Sequence, residues 1–120
     1  MEKEPKTLAL EVAKLLRDKR AEELLVLDIE HLTVLASYMV VCSGRSTIQV
    51  KAMADELEEK LPEQQSIRRE GYAEGRWIVL DYATVILHLF HPEEREYYNI
   101  ERLWTDGDNQ LIYRPEEAQE

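Results

Sequence analysis

Apolar and polar positions change period along this chain, and each change marks an element. Leu8, Val12, Leu15 and Leu16 recur at helical spacing, with Glu11, Lys14, Arg17 and Asp18 on the other side. With Thr7 as N-cap, the spacing predicts a first helix over about 8–20. Residues 24–29 (LLVLDI) and 38–43 (YMVVCS) are short apolar runs suited to buried strands. Gly44 then breaks the chain. Ser46 and Gln49 have capping-box spacing, Val50, Ala54, Leu57 and Leu61 form a buried stripe, and Pro62 ends this second helix.

A third strand is expected near 66–69, with Gly71 to Gly75 as a hairpin tip. RWIVLDY (76–82) and VILHLF (85–90) read as strands four and five. Only Ala83-Thr84 separates them, which implies a tight antiparallel hairpin in poor turn chemistry. Pro92 suits the first position of a helix, and Glu93 and Glu94 favour its N-terminus. Tyr97, Ile100, Leu103 and Trp104 carry that helix to about Thr105, and Gly107 ends it. The order α-β-β-α-β-β-β-α predicts one small α/β domain, a mixed five-stranded sheet with helices packed on it. Residues 1–106 form this domain. Residues 107–120 are expected to be a C-terminal tail, disordered from Arg114 onward, and residues 1–6 are expected to be loose.

Composition narrows the class. The 120 residues carry a net charge of −10. Such a field repels phosphate backbones and argues against non-specific nucleic-acid binding, while it attracts a basic partner; no specific nucleic-acid partner is expected. The single cysteine, Cys42, lies in an apolar run and reads as a small buried hydrophobe. One cysteine excludes a disulfide framework within the chain and fits a reducing compartment. No signal-peptide pattern or membrane-length apolar run is present, so the expected location is cytoplasmic, with no membrane partner.

Candidate chemistry is sparse. Ser43–Thr47 joins a strand to a helix and could hold an anion, but it lacks a phosphate-loop pattern and is better read as a cap. Asp28, Glu30 and Asp81 at strand ends could hold Mg²⁺ for nucleotidyl transfer, which is the enzyme alternative. A Gly-Ser turn would precede the carboxylates in such an enzyme; here the Ser-Gly turn follows them. His88 and His91 do not converge on a metal from an extended strand, and His88 shares a face with Ile86 and Phe90. With no nucleophile and base in evident relation, the chain is expected to be no enzyme, with no catalytic residues, cofactor or metal.

The densest feature is residues 70–104. It holds both tryptophans, four of the six tyrosines, the only phenylalanine and no lysine. Trp and Tyr offer large contact area at low side-chain entropy cost, so this block suits protein recognition. Trp77, Val79 and Asp81 point to one side of strand four, and Ile78, Leu80 and Tyr82 to the other.

VLDIEHLTVLASYMVVCSGRSTIQVKAMAD (26–55) and EG…WIVLDY…VILHLF…EREYYNIERLW (70–104) resemble the two signatures of the ribosomal silencing factor, or Iojap, family. The resemblance covers about residues 8–106. The chain departs at Ala36-Ser37-Tyr38-Met39, where the family usually has Ala-Asp-Tyr-Phe, and at Ala83-Thr84, where it often has Gly-Asp. The resemblance implies a fold similar to nucleotidyltransferases without that activity. It implies binding to the large ribosomal subunit through ribosomal protein L-fourteen, a block on subunit joining, translational repression, and a homodimer off the ribosome. Carried over by motif position, the partner-binding residues are Trp77, Asp81, Tyr82, His88, Arg95, Tyr98 and Trp104.

Overall fold

The computed structural model describes residues 3–62 and 68–111. Along the chain run α1 (Pro5–Asp18), β1 (Glu22–Asp28), β2 (Tyr38–Ser43), α2 (Thr47–Lys60), β3 (Arg68–Glu70), β4 (Trp77–Asp81), β5 (Val85–Phe90), α3 (Pro92–Tyr98), α4 (Glu101–Trp104) and β6 (Gln110–Leu111). The strands form one sheet in the order β3-β4-β5-β2-β1-β6. Among the described residues only the β2–β5 pair is parallel, so the sheet is mixed as expected.

One face of the sheet lies under α1 and α2. Leu8, Val12 and Leu16 of α1 and Val50, Met53 and Leu57 of α2 are buried on Val40, Cys42, Ile78, Leu80, Leu87 and Leu89. Burying each large side chain fully contributes roughly 1.5–3 kcal/mol, which makes this the main core. Cys42 sits inside it, and burial pushes its thiol up to about 12. No helix among the described residues is long and apolar enough to cross a membrane.

Several expectations need adjustment. Among the described residues the sheet has six strands, not five: Gln110 and Leu111 pair with Leu27 and Val26. Two residues are too few to show a strand period, and their partner lies more than 80 residues away. The first helix begins at Pro5 rather than after Thr7, and Glu4 at its N-cap makes no side-chain bond. Proline suits this site because its fixed φ is helical and its missing N–H would be unpaired there anyway. The last helix is two helices. Asn99 adopts a left-handed conformation (φ 45°, ψ 50°) that stops α3, a conformation asparagine tolerates better than most residues. Ser66 and Ile67 of the expected third strand and the tail from Arg114 lie outside the described residues.

Two turns position the later strands. Gly71, at φ +83°, leads into β4; a Cβ there would lie 2.0 Å from the Trp77 carbonyl oxygen, so the close approach requires glycine. The expected β4–β5 hairpin forms, with Ala83 at φ 72°. The Asp81 carboxylate accepts the Ala83 N–H at 2.8 Å and holds that unfavourable conformation. Ser46 caps α2 as expected, accepting the Gln49 N–H at 3.1 Å.

Candidate docking face

The second face of the sheet is covered unevenly. Leu27, Ile29, Met39, Val41 and Phe90 are buried there, and Trp77, Ile86, Ile100 and Trp104 pack on them half-buried. The short helices α3 and α4 are its helical cover. Toward β4 and β5 it stays accessible, with Trp77, Val79, Ile86 and His88 all half-buried.

Trp77 is fixed from three sides. Its ring stacks on Phe90 at 4.9 Å and meets Tyr98 at 4.8 Å. Its Nε1–H donates to Nδ1 of His88 at 3.0 Å. An accepting Nδ1 makes the imidazole neutral, with its proton on Nε2. Burial also lowers His88 to about 4, so the ring stays neutral through the physiological range. A large indole locked by neighbours and half open to solvent has the character of an interface anchor.

Beside it lies a cleft of about 500 Å³ lined by Arg76, Glu93, Glu94, Tyr97 and Tyr98. Arg76 donates to Glu94 at 2.6 Å and to Glu93 at 2.9 Å. The Arg76 hydrogen bond holds the Glu94 carboxyl below its ordinary value. Tyr97 meets Tyr98 edge-on at 4.9 Å and is 82% exposed. Arg76 and Tyr97 were not among the residues expected at the partner surface. The acidic pair after Pro92 and the tandem tyrosines were the available signals.

Of the seven candidate partner-binding residues, Trp77, His88 and Tyr98 come together. Asp81 lies farther along β4 on the same face, 3.7 Å from Arg68. Trp104 belongs to the same apolar layer, and its carbonyl oxygen accepts from Asn109, which also donates to the Asp28 carbonyl. Tyr82 is elsewhere: it is only 6% exposed, within the core under α1 and α2, and burial pushes its hydroxyl up to about 12. Strand alternation put it opposite Asp81. Arg95 is also 6% exposed, with its guanidinium bonded inside the protein. Neither offers a side chain to a partner. Leu103, a core candidate by helical spacing, is 76% exposed because the helix breaks at Asn99.

The enzyme alternative required Asp28, Glu30 and Asp81 to converge. The strands carrying Asp28 and Asp81 are separated by β5 and β2, three strand spacings or roughly 14 Å. Asp28 pairs in register with Tyr38, on the face under α1 and α2, whereas Asp81 is on the other face. The three carboxylates cannot share an ion. His91, Glu93 and Glu94 do bring ligand atoms within 4.8 Å of one another, but Arg76 already engages both carboxylates. At the Ser43–Thr47 junction, Arg45 pairs with Glu22 at 2.9 Å and its N–H donates to Gln49, leaving the turn filled by its own groups.

The family model described as "Ribosomal silencing factor during starvation" matches residues 2–120. This chain belongs to the ribosomal silencing factor family. Within the family, the ribosomal silencing factor of Bacillus subtilis is 44% identical over 92 residues, covering 75% of this chain and 78% of that protein. A mouse protein named for mitochondrial assembly of the ribosomal large subunit is 31% identical over 107 residues, covering 83% of this chain and 47% of its own length. A crystal structure of a Chromobacterium violaceum protein superposes with a TM-score of 0.78 at 30% identity, covering 95% of this chain and 98% of that one. Ribosomal silencing factors are regulatory proteins rather than enzymes.

Proposed function

We propose that this ribosomal silencing factor binds the large ribosomal subunit through ribosomal protein L-fourteen, and that its bulk then blocks subunit joining and represses translation. The carrying observation is Trp77, locked by Phe90, Tyr98 and His88 yet half open on the less covered sheet face. Aromatic anchors give affinity, and acidic groups such as Asp81 and Glu93 steer a basic protein toward the face. The net charge of −10 favours a basic protein partner over direct RNA contact. The family resemblance supports a cytoplasmic protein that is a homodimer off the ribosome.

The test is co-sedimentation with purified large subunits, followed by an assay of subunit joining. Wild-type protein is expected to pellet with large subunits and to reduce joined ribosomes. Failure to pellet at modest salt would end this reading.

A further inference from the structure

Helix α3 carries Tyr98 against Trp77, yet Arg95 is its only buried residue. No apolar side chain of the helix anchors it fully. Its attachment is polar instead: Arg76, just before β4, holds Glu93 and Glu94, and the Arg95 guanidinium reaches across the end of the sheet. Arg95 Nη1 donates to the Ser43 hydroxyl at 3.1 Å and to the Glu22 carbonyl oxygen at 3.3 Å, and Nε donates to Glu101 at 3.2 Å. One side chain thus joins α3 to β1, to β2 and to the first turn of α4. Tyr98 lies three residues further on, at a spacing that keeps two residues near one face of a helix. Asn99 closes the helix by donating its N–H to the Arg95 carbonyl oxygen at 2.8 Å and turns the chain so that Glu101 reaches back.

We propose that Arg95 is a positioning residue: it touches no partner, but pins α3 to the sheet so that Tyr98 holds Trp77 in its docking orientation. This rests on the reading of the Trp77 face as the docking surface. It makes the partner-binding surface smaller than the motif implies, because the Arg95 charge acts from inside. Arginine suits the role because its fork presents Nε and Nη1 together in a fixed plane. A lysine keeps the charge and has one nitrogen with which to replace them.

The test uses the full chain in a Trp104→Phe background, so that Trp77 is the sole indole. Arg95→Lys, Tyr98→Ala and the double variant are compared by co-sedimentation with large subunits, by Trp77 emission and by denaturant unfolding. Arg95→Lys is expected to unfold cooperatively, to shift Trp77 emission toward that of Tyr98→Ala, and to bind about 10-fold more weakly. Adding Tyr98→Ala to it should cost less than about twofold more, because both changes act through one contact. Independent losses that multiply would overturn the proposal, and so would wild-type emission in Arg95→Lys. If Arg95→Lys does not fold, Glu101→Gln replaces it, expected to shift emission the same way by a smaller amount; an unchanged emission there also overturns it. If the unsubstituted protein ignores large subunits, the docking reading fails, while the emission comparison still decides whether Arg95 positions Tyr98.

Discussion

The two faces of the sheet are built from alternate residues of the same strands, yet they serve different ends. On β4, Ile78 and Leu80 are sealed under α2, whereas Trp77, Val79 and Asp81 point into the half-covered face. On β5, Leu87 and Leu89 are buried while His88 stays half-buried beside Trp77. Two long amphipathic helices close the first face. The second has one seven-residue helix and one four-residue helix, the first attached through Arg76 and Arg95. Stability is therefore concentrated on one side and the proposed docking surface lies on the other, and a one-residue step along a strand crosses between them.

That contrast breaks most strongly at adjacent residues of β4. Ile78→Ala empties a fully buried site and is expected to cost about 3 kcal/mol, whereas Val79→Ala is expected to cost less than about 1 kcal/mol. Urea titrations of both decide it; equal losses would mean the second face is as well packed as the first. Next in size, Trp77→Ala should remove about 2 kcal/mol of large-subunit affinity, more than tenfold, while unfolding stays cooperative. An unaltered affinity would move the docking surface away from this face.

His88 gives the second face a pH signature. Its folded value is lowered to about 4, below the ordinary 6.5, so the unfolded chain binds its proton first as pH falls. The stabilisation is complete above about pH 6.5 and is lost between there and about pH 4. The loss should be about 3 kcal/mol, and His88→Gln should flatten that part of the stability profile relative to wild type. Parallel profiles for the two proteins would refute a buried neutral histidine. The smallest effect is expected at Ala83→Gly. Removing the Cβ relieves the φ of 72° at some entropy cost in the unfolded chain, for a net gain of about 0.5 kcal/mol by thermal unfolding.

Much of the fold was legible because its signals are local. The Ser46 cap, the buried stripe of α2, strands β2 and β5 and the Ala83-Thr84 hairpin each follow from spacings within a dozen residues. Strand β6 was not, since two residues carry no period and find their place only by pairing with β1. The break at Asn99 was missed because Tyr97, Ile100 and Trp104 keep helical spacing straight across it. At the site, Trp77, His88 and Tyr98 were named from the sequence, and the structure brings them together. Arg95 and Tyr82 were named with them but are buried, because a motif position does not say whether a side chain faces a partner or the interior.

The sequence by itself determined the alternation that splits each strand into two faces, the caps and turns that separate the elements, and the family to which the chain belongs. These depend on neighbours in the chain and on residue identity. Only the tertiary structure decided which face the long helices seal and which stays accessible. It also separated Asp28 from Asp81 by strand order, and turned the Arg95 charge inward to hold α3. Each of these depends on contacts between residues far apart in sequence, and alternation is the same whichever face a helix covers.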